Sequence, residues 1–161
     1  MRFVLVDKID RLETGRRAEG HKQIAPDEEY FRDHFPGYPI VPGVLVLESL
    51  AQLGGRLVEA SVREVSGRRV LPMLAKFEPA KLIRQVRPGD RLDLEVDVVA
   101  IGDEAARVKG TALVDRKRVA TAEIMYALLD LNDVLGHLDE GQISRLFEWF
   151  DRLWLDLRGA P

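Results

Sequence analysis

Apolar and polar positions along this chain follow two different periods. Between Leu92 and Val98 they alternate strictly. Leu92, Leu94, Val96 and Val98 fall on one side, and Asp93, Glu95 and Asp97 on the other. That is the pattern of a strand buried on one face. Two further strands are predicted over 105–114 and 118–129, turning at Asp115-Arg116-Lys117. Another strand, over 70–86, leads into 91–101 across the turn signal Arg87-Pro88-Gly89-Asp90. Residues 2 to 24 read as two strands, with FVLV in the first and a hairpin tip at Glu13-Thr14-Gly15-Arg16. A short helical turn is expected over 26–31.

From 44 to about 65 the period changes to that of a helix, and Gly67 is its stop signal. The first part, VLVLESLAQL, is apolar on almost every side. Arg56, Glu59 and Arg63 then share one side, so the helix is expected to begin buried and end nearer the surface. Strands, one long helix and a run of antiparallel strands define an α+β domain with the helix packed on a curved sheet. The last segment, 131–158, carries Ile143, Leu146, Phe147, Phe150, Leu153, Trp154 and Leu157 at helical spacing. It reads as an amphipathic helix that packs on the domain or on a subunit interface. The expected division is 1–129 and a helical extension, 130–161.

Composition narrows the function classes. The 161 residues are 46% hydrophobic and 32% charged, as in an ordinary globular domain. The chain has no cysteine, which excludes disulfide and thiolate chemistry. No apolar run reaches the length of a membrane span. The opening MRFVLVDKID lacks the long apolar core of a secretory signal, so a cytoplasmic protein is expected. The net charge of −3 argues against nucleic acid as partner. His21, His34 and His137 are far apart, with none of the usual metal-ligand or nucleotide-binding motifs, so no metal and no bound cofactor is expected. Seven basic residues against two acidic ones lie between Arg68 and Arg91. They form either a solvated strand face or a dock for an acidic or phosphorylated partner.

The candidate chemistry lies in DHFPGYPIVPGVLVLESLAQ, residues 33–52. Pro36, Pro39 and Pro42 stiffen a loop that carries His34, a side chain able to take and return a proton near neutrality. Glu48 follows one turn into an apolar helix start. A carboxyl held among apolar side chains favours its protonated form and can serve as a general acid. The free N–H groups at the helix start, which follows Pro42-Gly43, can stabilise a developing oxyanion. Each residue also has a plainer reading. Glu48, Gln52, Arg56, Glu59 and Arg63 share one stripe, so Glu48 could head a solvated face and bond Gln52. His34 could simply be satisfied by a backbone carbonyl.

At these residues the chain resembles a known family. H-F-P-G-Y-P-I-V-P-G-V-L followed by E-S-L-A-Q is similar to the 3-hydroxyacyl-carrier-protein dehydratases of the FabZ/FabA type. The block from Val86 to Leu92 and the strand with Ala122-Glu123-Ile124-Met125 extend the likeness over roughly residues 5 to 129. The resemblance implies a hot-dog fold, a long helix wrapped by a curved antiparallel sheet. It implies a homodimer, in some members a trimer of dimers, with the active-site His and acid from different subunits. Carried over, His34 is the base and Glu48 the acid in a syn elimination of water from a 3-hydroxyacyl thioester. Gly43 or Val44 binds the thioester carbonyl, and Phe35, Pro36, Leu47, Leu50 and Gln52 line the acyl tunnel. Arg68, Arg69, Lys81, Arg84 and Arg87 dock the acyl carrier protein, whose phosphopantetheine, or coenzyme A, carries the substrate. Glutamate rather than aspartate implies dehydration without isomerisation. Two positions depart from the family pattern: Asp33 stands where Gly usually precedes the histidine, and Lys81-Leu82-Ile83-Arg84-Gln85-Val86 where R-F-R-R-P-V is usual. A hot-dog thioesterase and a non-catalytic carrier-binding protein are the alternatives.

Overall fold

A computed structural model describes residues 3–146 and 148. The hairpin β1 (Lys8–Glu13) and β2 (Arg17–Gln23) is followed by a 3₁₀ turn at Glu29–Arg32 and the long helix α1 (Gly43–Ser66). Four strands follow: β3 (Val70–Leu82), β4 (Arg91–Ile101), β5 (Ala105–Val114) and β6 (Lys117–Asp130). A short helix, α2 (Leu131–Leu135), comes next. All six strands form one antiparallel sheet in the order β1-β2-β4-β5-β6-β3. Tight turns explain the hairpins. Asp115 and Arg116 both take positive φ between β5 and β6, as a two-residue turn with the twist of its strands requires.

The helix lies across one face of the sheet. The alternation predicted for β4 holds, with Leu92, Leu94 and Val96 buried. They meet Leu50, Leu53 and Leu57, each at most 1% exposed, on the sheet-facing side of α1. Two glycines permit the close approach. A Cβ on Gly110 of β5 would sit 3.2 Å from Leu50, and one on Gly54 of α1 would sit 2.5 Å from the Tyr126 hydroxyl of β6. The helix stops at Gly67 in the left-handed region, whose N–H bonds the Arg63 carbonyl.

Four expectations change. FVLV is not a strand: it runs outside the sheet, and the Leu5 N–H bonds the Gln52 side chain instead of a neighbouring strand. The third strand stops at Leu82, because the N–H groups of both Ile83 and Arg84 converge on the one carbonyl of Val119 and break the ladder. The helix ends at the surface as expected, with Arg63, Glu64, Val65 and Ser66 exposed, but it does not begin buried. Val44 in its first turn is 69% exposed, whereas the Arg56 side chain, three turns on, is only 4% exposed. The segment after 130 is not one continuous helix. It is capped by the Asp130 carboxylate, turns at 136–138 and is helical again over 140–146. The apolar stripe from Phe147 to Leu157 lies outside the described residues.

Candidate active site

The loop between the 3₁₀ turn and α1 holds His34 by three backbone-linked bonds. Its N–H bonds the Tyr30 carbonyl, and its carbonyl accepts from the Ile40 N–H. Its ring Nδ1 lies 2.9 Å from the Ile40 carbonyl oxygen. A carbonyl only accepts, so Nδ1 carries a proton, and in the neutral ring Nε2 presents its lone pair. The expected plainer role, a histidine satisfied by a backbone carbonyl, is therefore present, and it leaves the other ring nitrogen as a base. The Phe35 ring stacks on the imidazole with centroids 4.3 Å apart and is itself half exposed. Tyr30, beneath the loop, is partly buried, and burial pushes its hydroxyl up to about 12.

Glu48 is half-buried on α1. Gln52, one turn on, donates its side-chain N–H to Glu48 Oε1 at 3.0 Å, and its own Oε1 accepts the Leu5 N–H at 2.8 Å. The amide is thereby oriented from both ends, and Glu48 borders the space beside the helix. That space is a cavity of about 370 Å³ between α1, the N-terminal segment and the first half of β3. The stripe Glu48, Gln52, Arg56, Glu59 and Arg63 lines it, so the charged face of α1 is turned to a cavity. Tyr126 also borders it. Its buried hydroxyl donates to the Ala51 carbonyl at 2.7 Å. Burial, and then the nearby Glu48 carboxylate, push that hydroxyl far above the ordinary tyrosine value, so it remains a donor.

At the helix start, Leu45 donates to the Pro42 carbonyl, while no side chain caps the end. Gly43 packs under Leu82: a Cβ there would lie 2.2 Å from Leu82 Cδ1. Within one chain the predicted site residues are only partly brought together. Glu48 and Gln52 line the cavity; His34, Phe35, Pro36, Gly43, Val44, Leu47 and Leu50 do not. For Leu50 this is a correction. It is fully buried against Gly110 and belongs to the core. Apolar periodicity marks the buried face of a helix without saying whether the sheet or a ligand buries it.

The basic block also divides. Arg68 and Arg69 precede β3, and Lys81, Arg84 and Arg87 lie at or beyond its far end. The thirteen residues of β3 separate them by about 40 Å. Arg68 pairs with Asp103 and Asp130, and Arg69 lines the cavity. Arg87 belongs to the histidine loop: it bonds the Tyr38 hydroxyl at 2.9 Å and lies over its ring, and Tyr38 donates to Gln85. The sequence reading missed Tyr126 and the N-terminal segment as parts of the cavity. The signal for Tyr126 was present, in the Gly54-Gly55 pair inside a helix and in the alternation Ala122, Ile124, Tyr126, Leu128 along β6.

A long helix laid on a single antiparallel sheet, with an acid on the helix and a histidine in the loop before it, defines a hot-dog protein. A FabA-like domain model matches residues 1–123. The 3-hydroxyacyl-[acyl-carrier-protein] dehydratase FabZ of Bacillus velezensis is 42% identical over 126 residues, covering 78% of this chain and 87% of that protein. The FabZ of Clostridioides difficile is 41% identical over 128 residues, covering 80% and 88%. The chain belongs to this FabA-like family of dehydratases. Among solved structures, the dehydratase heterocomplex ApeI:P of Xenorhabdus doucetiae superposes with a TM-score of 0.63 at 14% identity, covering 89% of each chain. A thioesterase-like protein with coenzyme A from Streptococcus pneumoniae gives 0.59 at 11% identity, covering 76% of this chain and 85% of that one. At such identities these two likenesses speak to the fold alone.

Proposed function

We propose that this protein is a cytoplasmic (3R)-hydroxyacyl-[acyl-carrier-protein] dehydratase. It converts a 3-hydroxyacyl thioester to the trans-2-enoyl thioester and water in fatty-acid or related lipid or polyketide synthesis. The observation that carries the reading is the oriented pair of side chains. His34 has Nδ1 committed to Ile40, and Glu48 has Oε1 committed to Gln52. Each keeps one atom for the substrate. His34 Nε2 takes the proton from C2. The electron pair moves into the C2–C3 bond, and the C3–O bond breaks. Glu48 gives its proton to the departing hydroxyl, which leaves as water. The Gly43 or Val44 N–H, at the positive end of α1, stabilises the charge that develops on the thioester oxygen. The proton on His34 then returns to Glu48 through solvent, and no cofactor takes part.

His34 is absent from the cavity that Glu48 lines in its own chain, which supports a site completed by a second subunit. The edge strand β3 suits the contact. It is thirteen residues long, pairs on one side only with β6, and exposes Met73 and Leu74. Two antiparallel copies of β3 meeting at a twofold axis set the Arg68–Arg69 end of one strand beside the Lys81 end of the other. That reunites the divided basic block as a dock for an acidic carrier protein. The unit 1–129 is the hot-dog domain.

Loss of enoyl absorbance from a crotonyl thioester, on carrier protein or on coenzyme A, tests the reading. Hydration that disappears in His34→Ala is expected. Release of free acid and thiol instead would identify a thioesterase, and no turnover in the unmodified protein would favour a carrier-binding role.

A further inference from the structure

The loop that carries His34 has no hydrophobic anchor of its own: none of residues 33–39 is buried. Its shape after the histidine comes from a four-residue turn, Phe35 to Tyr38. Pro36 and Gly37, the latter at φ +76°, take the two central places. The Tyr38 N–H bonds the Phe35 carbonyl at 2.9 Å, and the Phe35 N–H bonds the Tyr38 carbonyl at 3.2 Å. Phe35 in turn stacks on the His34 imidazole. The place of Tyr38 therefore sets the place of Phe35 and of the ring it covers.

Tyr38 is gripped from outside the loop. Its hydroxyl donates to Gln85 Oε1 at 2.8 Å and accepts from Arg87 Nη2 at 2.9 Å. The Arg87 guanidinium also lies over the Tyr38 ring, 5.1 Å from its centroid. Arg87 itself stands on a fixed base. Its N–H bonds the Asp90 carboxylate at 2.8 Å. The buried Ile24, just beyond β2, donates to the Asp90 carbonyl and accepts from the Gly89 N–H. Tyr38 is 48% exposed, so water would satisfy its hydroxyl without Gln85 or Arg87. What the two side chains add is a fixed position for the turn.

We infer that Tyr38 and Arg87 are positioning residues for the base. With Gln85 they clamp the turn after His34 to the turn before β4, and so aim the imidazole. The inference rests on the dehydratase reading, because that reading makes His34 the base. It gives Arg87 a task that needs no carrier protein.

The test measures hydration of a crotonyl thioester, on coenzyme A and on carrier protein, by the full-length protein in its native oligomeric state. Tyr38→Phe keeps the ring and loses the hydroxyl; Arg87→Met loses the guanidinium. Each is expected to lower kcat about tenfold on both thioesters with little change in KM, because a displaced base costs the transition state more than it costs binding. Both act through one clamp, so the double variant falls no further than the worse single one. Arg87→Lys, which keeps a cation and a donor, recovers part of what Arg87→Met loses. An unchanged kcat on the coenzyme A thioester, with KM raised for the carrier-borne substrate alone, would make Arg87 a docking residue and overturn the inference. Losses that multiply in the double variant would overturn it too. If the unmodified protein turns over neither thioester, the dehydratase reading falls, and amide exchange at Ile40, whose N–H bonds the His34 carbonyl, reads the clamp directly. Faster exchange in Tyr38→Phe and Arg87→Met keeps the clamp; exchange as slow as in the unmodified protein removes it.

Discussion

Gln52 is held by the Leu5 N–H and in turn holds Glu48, so its replacement acts on catalysis through another residue. Gln52→Leu is expected to lower kcat about tenfold or more with a much smaller change in KM. A misaimed acid costs the transition state more than it costs substrate binding. Steady-state kinetics separate the two constants, and an unchanged kcat would mean that Glu48 needs no such support. The candidate acid and base were legible in the sequence because they sit in one stiff, unusual motif. The Gln52 link to Glu48 was also legible, as the bond of the plainer reading. Its second bond, to Leu5, was not, because 47 residues separate the partners. Leu50 shows the opposite failure: its spacing announces burial, and only the position of Gly110 says that the sheet provides it.

At the scale of elements, α1 and β6 are locked where Tyr126 donates to the Ala51 carbonyl beside Gly54. Tyr126→Phe removes that donor and is expected to cost about 1 kcal/mol in denaturant unfolding. Gly54→Ala drives a methyl against the hydroxyl and costs about 1–3 kcal/mol. The double variant is less destabilised than the sum of the two, because the phenyl ring lacks the atom the methyl meets. Strict additivity would contradict this contact. Strands β4, β5 and β6 and the start and stop of α1 were readable from period and turn residues. The ends of β3 and the fate of FVLV were not. Both are decided by hydrogen bonds to distant partners, Val119 and Gln52, that leave no local trace.

At the scale of the molecule, the proposed site is divided between two subunits. The β3 edge is the proposed seam. Leu74→Lys places a charge on that edge and is expected to give monomers in sedimentation, with turnover lost although His34 and Glu48 are intact. An active monomer would rule out a shared site. The sharpest test mixes two inactive proteins, His34→Ala and Glu48→Gln, unfolded and refolded together, and follows hydration of a crotonyl thioester. If each site draws its base from one subunit and its acid from the other, a mixed dimer holds one complete site. Random pairing then restores about a quarter of wild-type activity. Activity no higher than that of either variant alone, with mixed oligomers demonstrably formed, would contradict the account.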